Sequence, residues 1–234
     1  TGPCNAISDD MIVEIKAAPA LPTVSTQGVC AGNAATLTAT APGGTYKWYS
    51  SASGGTPEFT GASFITPVLN ANSNYYVSAT SITDGCESER REVTAIVNAR
   101  PVINSASTGS VCSQQSFSYT LNSTIAGTTY TWGRAAVTGI NNAVVSGQTS
   151  QVISETLNNL TTSPIAVTYQ IVPEVNGCSG NSFDYVVTVQ PIPATPSASN
   201  NGPVCEASAL NLSTAELSGA GYLWSGPAGF SSTD

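Results

Sequence analysis

The chain has no histidine and a single methionine among 234 residues. Without imidazole there is no Ser-His-Asp or Cys-His catalysis and no His-ligated zinc. Charge is scarce as well. Lys and Arg number 6 against 14 Asp and Glu, so charged residues make up 9% of the chain and the net charge is −8. An ordinary globular domain carries about 25% charged residues. Six scattered basic side chains on an acidic chain leave no footprint for nucleic acid. No apolar run approaches the roughly 18 residues that a membrane-spanning helix requires. Glu58, Glu155 and Glu174 stand isolated and read as surface charge, with no sign of a converging carboxylate pair. The expectation is a protein that is not an enzyme and has no catalytic residue.

What the chain does have is repetition. Three segments, beginning at Gly28, Ser110 and Pro203, each open on Val-Cys and continue through alternating small and apolar residues to Tyr-x-Trp. The opening cysteines are Cys30, Cys112 and Cys205, and the aromatic pairs are Tyr46 and Trp48, Tyr130 and Trp132, and Tyr222 and Trp224. The Cys-to-Trp separations are 18, 20 and 19, and all 3 Trp residues fall on this one position. A closing motif carries Cys4, Cys86 and Cys178, followed by a proline 15, 15 and 13 residues later. The chain thus starts with the tail of one repeat and ends with the head of another, as expected of a segment from a longer tandem array. The expected divisions are 1–19 (closing strands of a preceding repeat), 20–100, 101–193, and 194–234 (the opening part of a following repeat).

The hydrophobic period is two. Val93, Ala95 and Val97 share one face of a run, and Tyr185, Val187 and Val189 share one face of another. Val, Ile, Thr and Tyr dominate these runs, and Pro42-Gly43-Gly44, Asp84-Gly85 and Asn176-Gly177 punctuate them. No stretch sustains a helical period. Short strands with Gly- and Pro-rich turns predict all-β antiparallel sandwiches, about seven strands per repeat, in an elongated rod. The three Tyr/Trp pairs are expected in the cores. Phe64 and Tyr75 are expected there too, whereas Phe59 is undecided between core and an exposed ring able to stack on sugars.

Repeat logic predicts disulfides Cys30–Cys86 and Cys112–Cys178, each closing one repeat, with Cys4 and Cys205 left as orphans. Free structural thiols, a metal site, or a Cys4–Cys205 bond within or between chains are the alternatives. Acidic residues gather at Asp9-Asp10 and at Asp84, Glu87, Glu89 and Glu92. Their functional reading is a calcium site at a domain junction, and the other is a solvated turn. No EF-hand pattern is present, and no cofactor is otherwise expected. Proline-bearing joints at 18–22, 99–101 and 191–196 read as semi-rigid.

These residues carry a resemblance. From Cys30 to Pro101, the stretches VCAGNAATLTA, YKWYSSASGGTP, GASFITPVL, NYYVSAT and GCESERREVTAIV resemble the Ig-like repeats of very large surface proteins of Bacteroidetes. Val111 to Pro193 is similar to the PKD-like repeats that accompany them, and the segment from Asn201 resembles another such head. The resemblance implies export by the type IX secretion system and display on the outer cell surface, as in gliding-motility adhesins. No signal peptide or C-terminal sorting domain is recognisable, as expected of an internal segment. The implied role is an extracellular spacer and adhesive surface. Its expected partners are neighbouring repeats of the same chain and a surface polysaccharide or another cell-surface protein. The alternative is a carbohydrate-binding accessory module of a polysaccharide-degrading protein.

Overall fold

The computed structural model describes residues 11–42, 44–216 and 221–233. Cys4, Asp9 and Asp10 lie outside the described residues. Two compact units are present: Thr1–Pro101 with Glu174–Gly180, and Val102–Pro173 with Asn181–Asp234. The described residues contain no α-helix, only strands and one short 3-10 turn at Pro227–Gly229.

The first unit contains β1 (Thr23–Thr26), β2 (Val29–Cys30), β3 (Asn33–Thr40), β4 (Gly44–Tyr49), β5 (Phe59–Thr60), β6 (Ser63–Leu69), β7 (Ser73–Ser81), β8 (Arg91–Ala95) and β9 (Val97–Asn98). One sheet runs β1-β3-β6 and the other β5-β4-β7-β8. Along β3 the small apolar residues Ala35, Leu37 and Ala39 point inward while the intervening threonines face water. This is the period-two pattern of a half-buried strand. Trp48 is fully buried in the core with Phe64, Tyr75, Val77 and Val93. Its ring stacks on Phe64 at 5.6 Å, and its Nε1–H donates to the Gly61 carbonyl at 2.9 Å. Thus the one polar atom of the indole is satisfied where water is excluded.

The second unit contains β10 (Thr108–Cys112), β11 (Ser116–Thr120), β12 (Thr129–Arg134), β13 (Val145–Gln148), β14 (Val152–Thr156), β15 (Ile165–Val175, its last two residues in the first unit) and β17 (Phe183–Gln190). Between the last two comes β16 (Cys178–Ser179), which folds back on the end of β15 within the first unit. One sheet has the order β10-β17-β15-β12-β13, and a second is the β11-β14 pair. Tyr130, Trp132, Tyr169 and Tyr185 fill this core, and Tyr119 stacks on Tyr185 at 3.6 Å. Trp132 Nε1–H donates to the Ser150 carbonyl at 2.9 Å, the counterpart of the Trp48 bond.

The third head forms β18 (Ala198–Asn200), β19 (Leu212–Thr214), β20 (Trp224–Ser225) and β21 (Ser231–Ser232). Among the described residues they make two two-stranded ladders, β18-β19 and β20-β21. Tyr222 and Trp224 are half-buried rather than enclosed in a core, and among the described residues no second sheet covers the indole. Tyr46 is likewise half-buried, packing against the edge of its core with its hydroxyl on the Ala41 carbonyl at 2.9 Å.

Candidate functional site

The expected disulfides are not those formed. Their positions follow from one feature of the sheets. In both complete repeats the strand that carries the opening cysteine does not pair antiparallel with the last: β2 runs parallel to β9, with Cys30 opposite Asn98. In the same way β10 runs parallel to β17, with Cys112 opposite Gln190. Each opening cysteine therefore stands where the last strand of its repeat finishes. Each closing cysteine stands before that strand starts: Cys86 precedes Arg91 and Cys178 precedes Phe183. The span from Arg91 to Asn98, and likewise from Phe183 to Gln190, is roughly 23 Å at about 3.3 Å per residue. A disulfide tolerates a Cα–Cα distance of no more than about 7 Å. Bridges Cys30–Cys86 and Cys112–Cys178 are excluded on that geometry.

Cys30 is bonded instead to Cys178, with Cα atoms 5.5 Å apart and 148 residues between them in sequence. Cys178 follows a tight turn in which Asn176 and Gly177 both have positive φ, 50° and 72°, the signature of a type I′ hairpin. Arg100 flanks the bond. Its Nε–H donates to the Ala31 carbonyl at 3.0 Å and its Nη1–H to the Ser179 carbonyl at 2.7 Å, so one guanidinium holds the backbone next to each sulfur. Cys86, Cys112 and Cys205 are free thiols, the first half-buried and the other two exposed.

The turn that carries Cys86 also carries the acidic residues read as calcium candidates. The Ser81 hydroxyl and the Cys86 amide bond to Asp84 and hold its carboxyl below the ordinary range. Glu87 accepts from Lys47 Nζ at 2.8 Å, from the Tyr49 hydroxyl at 2.8 Å and from the Ser78 hydroxyl. Burial opposes its ionisation, and the three donors outweigh burial, bringing its pKa to about 2. Arg90 lies over the Tyr49 ring, 3.3 Å from its centroid, and completes the cluster. Asp84 and Glu87 thus share a turn but are directed at donors of their own chain. Among the described residues no three His, Cys, Asp or Glu side chains gather as a metal-ligand group.

Glu155, read as surface charge, is the other correction. Arg134 is 2% exposed, and its Nε–H and Nη2–H donate to Glu155 at 2.9 and 3.2 Å. The Tyr169 hydroxyl also donates to Glu155. Burial first, then that bond, holds the Tyr169 phenol well above its ordinary range. The signal was present: Tyr130, Trp132 and Arg134 alternate onto one face of β12, so a face that buries two aromatics also buries a cation, which demands a partner. Asn159 is 4% exposed. It donates to the Ser163 and Val189 carbonyls at 2.8 and 3.0 Å. Phe64 and Tyr75 are buried, as expected, and Phe59 is 42% exposed.

Residues 19–98 match the family described as Ig-like domain, CHU_C associated, and residues 109–193 match the PKD-like domain family. No curated protein matches the chain. Among solved structures, the three N-terminal domains of the bacteriophage RB49 outer capsid protein Hoc are similar, with a TM-score of 0.40 and 16% identity over 91% of this chain and 78% of that one. The DIP-gamma IG1+IG2 structure has a TM-score of 0.34 and 13% identity, covering 74% and 98% of the two chains. The chicken CNTN1 FN1-FN3 domains have a TM-score of 0.32 and 14% identity, covering 93% and 86%. The chain is an all-β tandem of an Ig-like domain followed by a PKD-like domain, whose modules and disulfide fit an extracellular protein.

Proposed function

We propose that this chain is a non-enzymatic stretch of a long, secreted cell-surface protein, in which it serves as a disulfide-stapled spacer and offers an adhesive surface in attachment or gliding. The observation that carries this reading is the Cys30–Cys178 bond between consecutive repeats. A covalent tie of that kind links the two repeats independently of the backbone between them. It resists the loads borne by a filament that connects a cell to a surface, and it persists only in an oxidising place such as the cell exterior. The weakly charged, acidic exterior suits the same role, since it limits indiscriminate sticking to anionic surfaces. Export by the type IX route is part of this proposal.

The test is retention under flow. Beads coated with the chain are laid on bacterial cell layers and on films of surface polysaccharide. Retention above that of uncoated beads supports the adhesive half of the reading, and none on any surface leaves a spacer only. The carbohydrate-module alternative is favoured instead by saturable calorimetric binding to a soluble polysaccharide that Phe59→Ala abolishes, since Phe59 presents an exposed ring.

A further inference from the structure

Each complete repeat presents its two cysteines at opposite ends of its last strand, and the two repeats do so in the same way. The closing cysteine comes 5 residues before that strand in both, Cys86 before Arg91 and Cys178 before Phe183. The opening cysteine leads into a fixed backbone fitting. Ala31 N–H donates to Asn98 O at 2.9 Å and Gly32 N–H to Leu69 O at 2.8 Å. The counterparts are Ser113 N–H to Gln190 O and Gln114 N–H to Leu157 O, both at 2.8 Å. The residue two past the opening cysteine has a positive φ in all three copies: 85° at Gly32, 66° at Gln114 and 67° at Ala207. Gln and Ala adopt that conformation only where the surroundings require it. Cys112 therefore sits in the same fitting that Cys30 uses to bond the closing cysteine of the repeat after its own, and Cys205 shares its left-handed turn.

We propose that this shifted bond is the rule of the array: the opening cysteine of each repeat is a docking point for the closing cysteine of the repeat that follows. Cys112 is then the site for the closing cysteine of the repeat that opens at Cys205. Cys86 is the site for the opening cysteine of a preceding repeat. Cys112 and Cys86 are the open halves of two further staples, and the partner of each is another β-sandwich repeat of this kind. Each bond forms by exchange with a small-molecule disulfide of the oxidised glutathione class. Two cysteine thiols lose two protons and two electrons, one S–S bond forms between them, and the oxidant leaves as two thiols. The inference rests on the tandem-array part of the proposed function and not on the adhesive part. Bead retention can fail while this pattern stands, and the reverse.

The experiment completes the third repeat with the chain's own closing half, by repeating residues 59–101 after Asp234. The extended chain is equilibrated in a glutathione redox buffer, and its cysteine peptides are mapped without reduction by mass spectrometry. The expected map links Cys30 to Cys178 and Cys112 to the appended copy of Cys86, leaving Cys4, the original Cys86 and Cys205 open to alkylation. A bond between Cys205 and the appended cysteine, or a Cys112 that stays a thiol, overturns the proposal. The original chain carrying Cys30→Ser supplies a second arm that needs no added segment. Cys178 is expected to become an alkylatable thiol there, and its capture by Cys112 in the same repeat overturns the proposal equally.

Discussion

Trp48 and Trp224 occupy the same position of the repeat and lie in different surroundings. Trp48 is fully enclosed between two sheets, whereas Trp224 lies half-buried on a two-stranded ladder. Trp48→Ala is expected to lower the stability of its unit by about 3–5 kcal/mol, from lost burial and the cavity left behind. Trp224→Ala is expected to change stability by no more than about 1 kcal/mol. Guanidinium titrations of the two variants check both values. Glu87 makes a pH prediction. Its carboxyl falls from an ordinary value of 4.5 to about 2 in the folded protein, so the stability it contributes is present above pH 4.5 and is lost as pH falls toward 2. In Glu87→Gln the acid side of the stability profile between those values should be flatter than in the parent. An unchanged slope would mean that the Lys47, Tyr49 and Ser78 bonds do not select the ionised form. Glu155 behaves differently, because its partner Arg134 is buried. Glu155→Ala leaves a buried guanidinium without its counter-ion and is expected to cost about 3–5 kcal/mol. The double change Arg134→Met with Glu155→Leu is expected to cost much less. A charge read in isolation along the sequence shows nothing of this. Glu155 lies 21 residues from Arg134, on a strand of the other sheet, and only the inward register of β12 announces that a partner is needed.

At the scale of elements, the strands and their inward faces were legible because period-two burial is a local property of sequence. The residues of β3, β8 and β17 alternate in the sequence as they do in the sandwich. The partner of a strand is not local. Nothing in Thr108–Cys112 distinguishes a parallel neighbour from an antiparallel one, yet that choice moves Cys112 from one end of β17 to the other. The expected disulfides failed on that single point. The close fit of β10 on its sheet gives a test. A Cβ added at Gly109 would lie 2.2 Å from the Tyr185 hydroxyl oxygen, far inside contact distance. Gly109→Ala is expected to destabilise the second unit by about 1–3 kcal/mol by forcing Tyr185 off its stack on Tyr119. Adding Tyr185→Phe should recover part of that loss, since it deletes the clashing atom. Thermal unfolding of the single and double variants reads the difference. If the double variant were no better than the single one, the clash would lie elsewhere in β10.

At the scale of the whole molecule, the repeat period was legible and the covalent path through the repeats was not. Repetition shows in spacing, but which copy bonds which depends on where each repeat places its two ends. With Cys30 joined to Cys178, a load applied between the chain termini passes through the sulfurs and bypasses the residues between them. That bypass is the central mechanical claim, and single-molecule pulling of the 234-residue chain from its two ends tests it most directly. With the bond intact, unfolding should release length only from the residues outside the loop, because the 148-residue interval between the cysteines is shorted out. Reductant should add roughly 500 Å of contour, at about 3.3–3.6 Å per residue. Full extension of both domains under non-reducing conditions, with no further gain on reduction, would contradict the account.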